Sequence, residues 1–195
     1  MNKTPKISSI DRYSVDLARM VATTSYLPDP DTVRNMGTAV FPTCRHFLDR
    51  GKPIVEGSNI VGMFDDNTTP RWALFWAHGI AGVSKSSSKG WTIAHVWGAS
   101  KDITAYTHLA NLALVPECFA SLTDKDGPLA GYLQYHAWVQ YRWKPDAVPV
   151  PSEPKDYRSI KWQYLKPISN PKKFILEQIN KAKCKRSKIL KALLR

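Results

Sequence analysis

The chain has 195 residues, 43% of them hydrophobic, with seven tryptophans, and its 28 Lys and Arg against 16 Asp and Glu give a formal net charge of +12. That apolar content excludes a disordered chain and the length allows one sizeable core, while no apolar run approaches the roughly 20 residues of a membrane span. The basic excess suits a polyanionic partner, because each neutralised phosphate releases counterions; ribosome-associated and membrane-surface proteins share it, so charge alone specifies only a polyanion.

In chain order, MNKTPKISSIDRYS is a polar arm without an apolar signal core, which argues for a cytoplasmic protein. The spacing of Ile10, Tyr13, Leu17, Met20 and Val21 predicts a helix from Ser8 to about Thr24, ended by Pro28 and Pro30. Asp31 to Met36 reads as a further turn, Thr38 to Phe41 as extended, Pro42 to Asp49 as helical and capped by Gly51, and Ile54 to Phe64 as one or two strands. Thr69 followed by Pro70 predicts a helix start, with the helix running to His78 and ending at Gly79. Its aromatics Trp72, Phe75 and Trp76 are too many for a solvated helix, and His78 fits a cation at the helix C-terminus. Lys85 to Lys89, KSSSK, is a polar loop whose lysines suit phosphates or plain solvent. Cys44, Cys118 and Cys184 are odd in number and far apart, so neither a disulfide framework nor a zinc knuckle is expected.

The site-like stretch is Trp91 to Asp124, which places polar groups among apolar strands. Thr92 to Trp97 is a β-branched and aromatic run between Gly90 and Gly98, with His95 in its middle. Leu112 to Val115 is a second strand entered through Asn111, and Pro116 suits the first turn of a following helix. Read without further context, a histidine on an apolar strand is more often a hydrogen-bonded core residue than a catalyst, and an asparagine at a strand entry more often forms a turn.

AHV, then NLALVP sixteen residues after the histidine, then FASLTD together resemble the HNH nuclease motif of the ββα-metal class. The resemblance covers about a sixth of the chain. It implies a hairpin-and-helix core, with His95 as the general base that deprotonates water and Asn111 as the residue fixing the hairpin around it. It further implies a divalent cofactor, Mg²⁺ or Mn²⁺. Two positions depart from the family pattern: Ala94 stands where a metal-binding Asp is common, and Ala120 stands at the helix position usually filled by His or Asn. Asp124 matches the Asp of the motif's tail and is the expected metal ligand, with Asp126 or His108 nearby. Phosphodiester hydrolysis suits these residue types, because it needs a deprotonated water and a cation over the developing charge, and histidine titrates near the working pH.

Beyond the motif, Asp126 and Pro128 predict a helix to about Trp143 with Leu129, Tyr132, Leu133, His136 and Ala137 as its apolar stripe; His136 reads as a satisfied core histidine. Tyr135, Trp138 and Arg142 form an opposite face open to DNA or to a second subunit. KPDAVPVPSEP, Lys144 to Pro154, reads as an extended linker. Tyr157 to Leu165 reads as an edge strand, and Asn170 with Pro171 as the start of one long helix to the C-terminus. Its stripe is Ile175, Ile179, Ala182, Ile189 and Leu193, and its basic residues include Lys172, Lys173, Lys181, Lys183, Lys185, Arg186 and Lys188, expected with Lys85 and Lys89 to meet nucleic acid.

The sequence therefore predicts an α+β protein with a ββα-metal, HNH-like core in a mostly helical shell. Residues 1–143 form the HNH-like domain, 144–156 a proline-rich linker and 157–195 a basic appendage. The expected activity is metal-dependent cleavage of double-stranded DNA, of restriction type, by a homodimer cutting both strands. RNA is the other substrate, and the competing reading is a nucleic-acid-binding protein whose HNH site has decayed at Ala94 and Ala120.

Overall fold

The computed structural model describes residues 9–82 and 88–194. Lys85 lies outside them. The fold is α+β: among the described residues, seven helices surround two small sheets. Helix α1 (Ser9–Thr24) buries Ala18, Val21 and Ala22, whereas Tyr13 and Met20, expected on the buried face, are exposed. Helix α2 (Pro30–Met36) is capped by Asp29, whose side chain accepts from the Thr32 amide, and ends at Gly37 in the left-handed region (φ 69°). That residue closes the helix by donating its N–H to the Val33 carbonyl.

Three strands form the first sheet, in the order β1 (Thr43–Arg45), β3 (Asn59–Asp65), β2 (Pro53–Glu56). β1 runs parallel to β3, aligning Arg45 with Asp65. This corrects the helix expected over 42–49: the Pro42 carbonyl accepts from the Met63 amide at 3.0 Å, and strand pairing prevails over local preference. The second sheet is the antiparallel pair β4 (Trp91–His95) and β5 (Leu112–Pro116), with His95 opposite Leu112. Tyr26 bridges the free side of β5, and Leu27 in turn bridges Tyr164. Residues 157–165 thus supply a single bridge and a 3₁₀ turn (Tyr157–Ser159) where an edge strand was expected.

The β4–β5 pair separates two layers because successive side chains alternate faces. Ile93, Leu112 and Leu114 point into the main core with Phe41, Met63 and Leu74, the last from α3 (Thr68–Trp76). Ala94, Ala113 and Val115 face Leu133 and Ala137 of α5 (Ala130–Tyr141). Between β5 and α5 lie a 3₁₀ turn (Glu117–Phe119) and the four-residue helix α4 (Ala120–Thr123). Asp126 does not cap α5; Leu129 occupies that position.

The proline-rich stretch expected to be a linker is pinned across α5. Tyr135 donates to Glu153 at 3.0 Å and Tyr132 donates to the Lys155 carbonyl at 3.0 Å; just beyond the stretch, His136 meets the hydroxyls of Tyr157 and Tyr164 at 2.6 and 2.7 Å. The C-terminal region is likewise part of the body. It forms two helices, α6 (Pro171–Lys181) and α7 (Lys185–Leu193), where one was expected, and Ile175, Ile179 and Leu190 are buried in the main core. Asn170 caps α6, accepting from the Lys173 amide at 3.0 Å.

Among the described residues, no helix is long and apolar enough to cross a membrane.

Candidate functional site

His95 closes β4 and lies on the same strand face as Ile93, turned toward α3 and the first sheet. Its ring stacks on Tyr106, with centroids 5.0 Å apart and planes within 2°. Tyr106 is anchored in turn: its hydroxyl donates to Asn67 Oδ1 and accepts from the Asn67 amide, both at 2.9 Å, at the residue preceding α3. One nitrogen of His95 bonds the Tyr106 backbone. The other, Nε2, is buried without a partner, so the carbonyl contact falls to Nδ1–H and the Nε2 lone pair is free.

Burial, with the Arg45 guanidinium second, pushes the His95 pKa down to about 4. The ring is neutral at pH 7. Arg45 comes from the end of β1, where its amide bonds the Ser100 carbonyl at 2.6 Å just beyond β4; its side chain is exposed.

Asn111 is fully buried and ties the fifteen-residue excursion between His95 and itself. Its Oδ1 accepts from the Trp97 amide at 2.9 Å, its Nδ2 donates to the Ala105 carbonyl at 3.0 Å, and its own carbonyl accepts from Val96 at 2.8 Å. A short amide side chain with one acceptor and two donors at the strand entry can do this; an aliphatic residue cannot. The arrangement holds His95 and Tyr106 in register.

The expected metal donors do not gather. His108 is buried against Trp143, with ring centroids 3.9 Å apart, while Nδ1 accepts from the Ala110 amide at 3.2 Å and the ring also bonds the Gly37 backbone. Burial takes its pKa to about 4. Asp124 and Asp126 are exposed beyond α4, and Asp126 pairs with Lys125 at 3.6 Å. Helix α4 belongs to the other layer: the neighbouring Phe119 and its own Leu122 pack on the cluster of Ala18, Leu129 and Tyr132, on the α5 side of the hairpin. Asp124 therefore leaves the hairpin on the face opposite His95. Among the described residues no three His, Cys, Asp or Glu side chains converge to hold a metal ion.

Two other histidines are engaged structurally. His136 bonds tyrosines through both nitrogens and stacks on Trp162 at 4.8 Å. His78 contacts the Leu74 carbonyl through Nδ1 at 2.6 Å and accepts from the Asp29 amide through Nε2 at 3.0 Å; burial lowers its pKa, so it is neutral rather than the expected helix-end cation.

Of the basic residues expected to meet nucleic acid, Lys89, Lys172, Lys173, Lys181, Lys183, Lys185 and Lys188 are exposed, and none of them is in an ion pair among the described residues. Arg186 departs from that expectation. It is 24% exposed and turns inward to Asp65 and Asp66, at 3.1 and 2.8 Å. The contact to Asp65 lacks hydrogen-bond alignment and acts as charge pairing. Asp65 is fully buried and holds the start of α3, accepting from the Thr69 amide at 2.7 Å and its hydroxyl at 2.8 Å. Burial raises its pKa, against the opposing effects of Thr69 and Arg186.

Arg45, Tyr106, Asn67 and Asp65 escape the sequence reading because their relation to His95 is made by pairing β1 with β3 and folding the 96–111 loop over α3. No local spacing encodes it. Comparison with models of known families, with curated proteins and with solved structures gave no match.

Proposed function

We propose that this protein binds nucleic acid and hydrolyses its phosphodiester bonds as an HNH-type endonuclease acting on DNA, with His95 as the general base. The observation that supports this most is the state of the His95 ring: Nδ1 is committed to the Tyr106 carbonyl while Nε2 keeps a free lone pair in a buried setting. An imidazole fixed in this tautomer can take a proton only at Nε2. With a pKa of about 4 it is a weak base until negative charge arrives, and a phosphate beside it favours the imidazolium, so substrate binding itself strengthens the base. Nε2 is covered in this conformation, and engagement of substrate must uncover it. Asn111 positions the loop that carries Tyr106, and the exposed lysines of α6 and α7 supply sequence-independent phosphate contacts.

Asp124, Asp126 and His108 do not fit as one ligand set for Mg²⁺ or Mn²⁺, because His108 is buried with its nitrogens engaged and Asp124 leaves on the opposite face. No step here runs through an ion. That disposition favours a second reading, a nucleic-acid-binding protein on an HNH-like hairpin that does not cut.

Plasmid DNA, linear duplex and RNA incubated with the protein and Mg²⁺ or Mn²⁺, against chelator controls, separates the two. Nicking or cutting supports the nuclease. Salt-sensitive binding without cleavage under any metal selects the second reading.

A further inference from the structure

Phe47 and Leu48 are the most exposed large hydrophobic side chains among the described residues, at 72% and 83%, and they stand side by side in the turn joining β1 to β2. The turn is braced so that they cannot fold back. The Asp49 amide donates to His46 Nδ1 at 3.2 Å, its carbonyl accepts from the Lys52 amide at 2.9 Å, and its carboxylate holds the Lys52 ammonium at 2.7 Å. Both ends are tied to β3: the His46 amide donates to the Asp65 carbonyl at 3.0 Å, and the Gly51 amide to the Phe64 carbonyl at 2.7 Å. Gly51 takes φ 75°, a backbone that an L side chain rarely adopts. The His46 ring turns back onto Phe64, at 5.2 Å between centroids, and the Arg50 guanidinium lies 5.6 Å from the centre of the Phe47 ring.

A rigid turn that holds two apolar side chains in water is a preformed contact. Two side chains fall far short of the roughly 800 Å² per partner that a stable protein interface buries. The surrounding charge is basic. Exposed Arg45, Arg50 and Lys52 flank the pair, Asp49 is taken by Lys52, and Asp66, which faces Arg50 at 3.4 Å, is shared with Arg186. Polar residues on both sides let only Phe47 and Leu48 enter a partner, which is the size of one base step; a bilayer anchor gains from a longer apolar face.

We propose that Phe47 and Leu48 form a wedge that enters a single base step of duplex DNA, with Arg50 and Lys52 on the flanking phosphates. The proposal deepens the nucleic-acid reading and rests on it for the identity of the partner. The wedge is distinct from the lysines of α6 and α7, which meet only phosphates and cannot unstack a step.

The test uses the full chain with a chelator present, so that no strand is cut, and a short duplex carrying 2-aminopurine at a central TA step, a step that unstacks easily. Anisotropy at low salt reads binding, and 2-aminopurine fluorescence at saturation reads unstacking. The expected result is a severalfold rise in fluorescence with the wild type, and the signal of the free duplex with the double variant Phe47→Ser, Leu48→Ser. The variant keeps nearly the wild-type affinity, because unstacking a step costs about as much as burying the two side chains returns. Arg50→Gln and Lys52→Gln each flatten the log–log salt dependence by about 0.9. All four side chains are exposed, and an unchanged denaturation midpoint confirms that the variants fold. A wild type that saturates the duplex without a rise, or an equal rise with the double variant, overturns the wedge and keeps the nucleic-acid reading. A chain that binds no duplex at low salt loses both, and Phe47-dependent binding to phosphatidylserine vesicles in that case assigns the turn to a lipid surface instead.

Discussion

Replacing Asn111 with alanine removes the brace of the hairpin loop, and the structure sets the size of the effect. The side chain satisfies two backbone groups in a dry interior, the Trp97 amide and the Ala105 carbonyl, at 2.9 and 3.0 Å. Ala105 is fully buried and Trp97 nearly so, hence neither group regains water when the amide is removed. An orphaned buried donor or acceptor costs about 1–3 kcal/mol, so the pair predicts a loss of about 4 kcal/mol. For a chain of this size a loss of 1 kcal/mol lowers the melting temperature by about 2–4 °C, which places the variant roughly 10 °C below wild type. Asn111→Asp is predicted to do no better. It keeps an acceptor for Trp97 but turns an oxygen toward the Ala105 carbonyl and buries a charge. Denaturant unfolding gives the free energy, and amide hydrogen exchange at Trp97 gives the local effect. An Asn111→Ala variant that loses under about 1 kcal/mol and keeps Trp97 protected would refute the brace.

Arg186→Ala leaves the buried Asp65 carboxylate uncompensated and should cost about 3–5 kcal/mol in denaturant unfolding, whereas a purely surface arginine would cost almost nothing. His95, His108 and His136 each have a folded pKa of about 4, below the usual histidine value, so the unfolded chain binds more protons below pH 6.5 and stability falls with acid. His78 shifts the same way, and among the described residues the raised Asp65 opposes them. From pH 7 to 5 each histidine costs about 2 kcal/mol, and a melting temperature unchanged over that range would contradict the burial of these rings. Replacing Lys172, Lys173, Lys181, Lys183, Lys185 and Lys188 with glutamine should preserve the fold and flatten the salt dependence of DNA binding by about 0.9 in log–log slope for each phosphate no longer neutralised. An unchanged slope would remove these helices from the interface. Truncation before Pro171 should unfold the protein, because it strips Ile175, Ile179 and Leu190 from the core.

What the sequence made legible is what is encoded over a few residues. Asn170 with Pro171 starts α6 as its capping chemistry requires, and the stripe from Leu129 to Ala137 is buried. Of the expected order strand, loop, strand, helix, the two strands are observed, but Pro116 closes β5 instead of opening a helix, and a 3₁₀ turn separates it from the four-residue α4. His136 is the satisfied core histidine its stripe implies. β1 was not legible, since three residues become a strand only by pairing with β3, more than a dozen positions away. The break between α6 and α7 was hidden because the apolar stripe continues through it; the Ser187 hydroxyl instead donates to the Ala182 and Cys184 carbonyls, at 2.7 Å each. The proline-rich segment read as a linker because its contacts, from Tyr132 and Tyr135, lie on a different element. At the candidate site, alternation along β4 places His95, but which layer it faces depends on where the 96–111 loop and α3 pack.

The central claim is that the free Nε2 of His95 performs proton transfer in phosphodiester cleavage. Its most direct test is the single-turnover cleavage rate of duplex DNA by wild type and by His95→Ala, at protein concentrations where both are saturated with DNA and with Mg²⁺ or Mn²⁺ present. Loss of a general base predicts a rate at least about a hundredfold lower in the variant, with DNA affinity and melting temperature close to wild type. Equal rates in the two proteins would contradict the account.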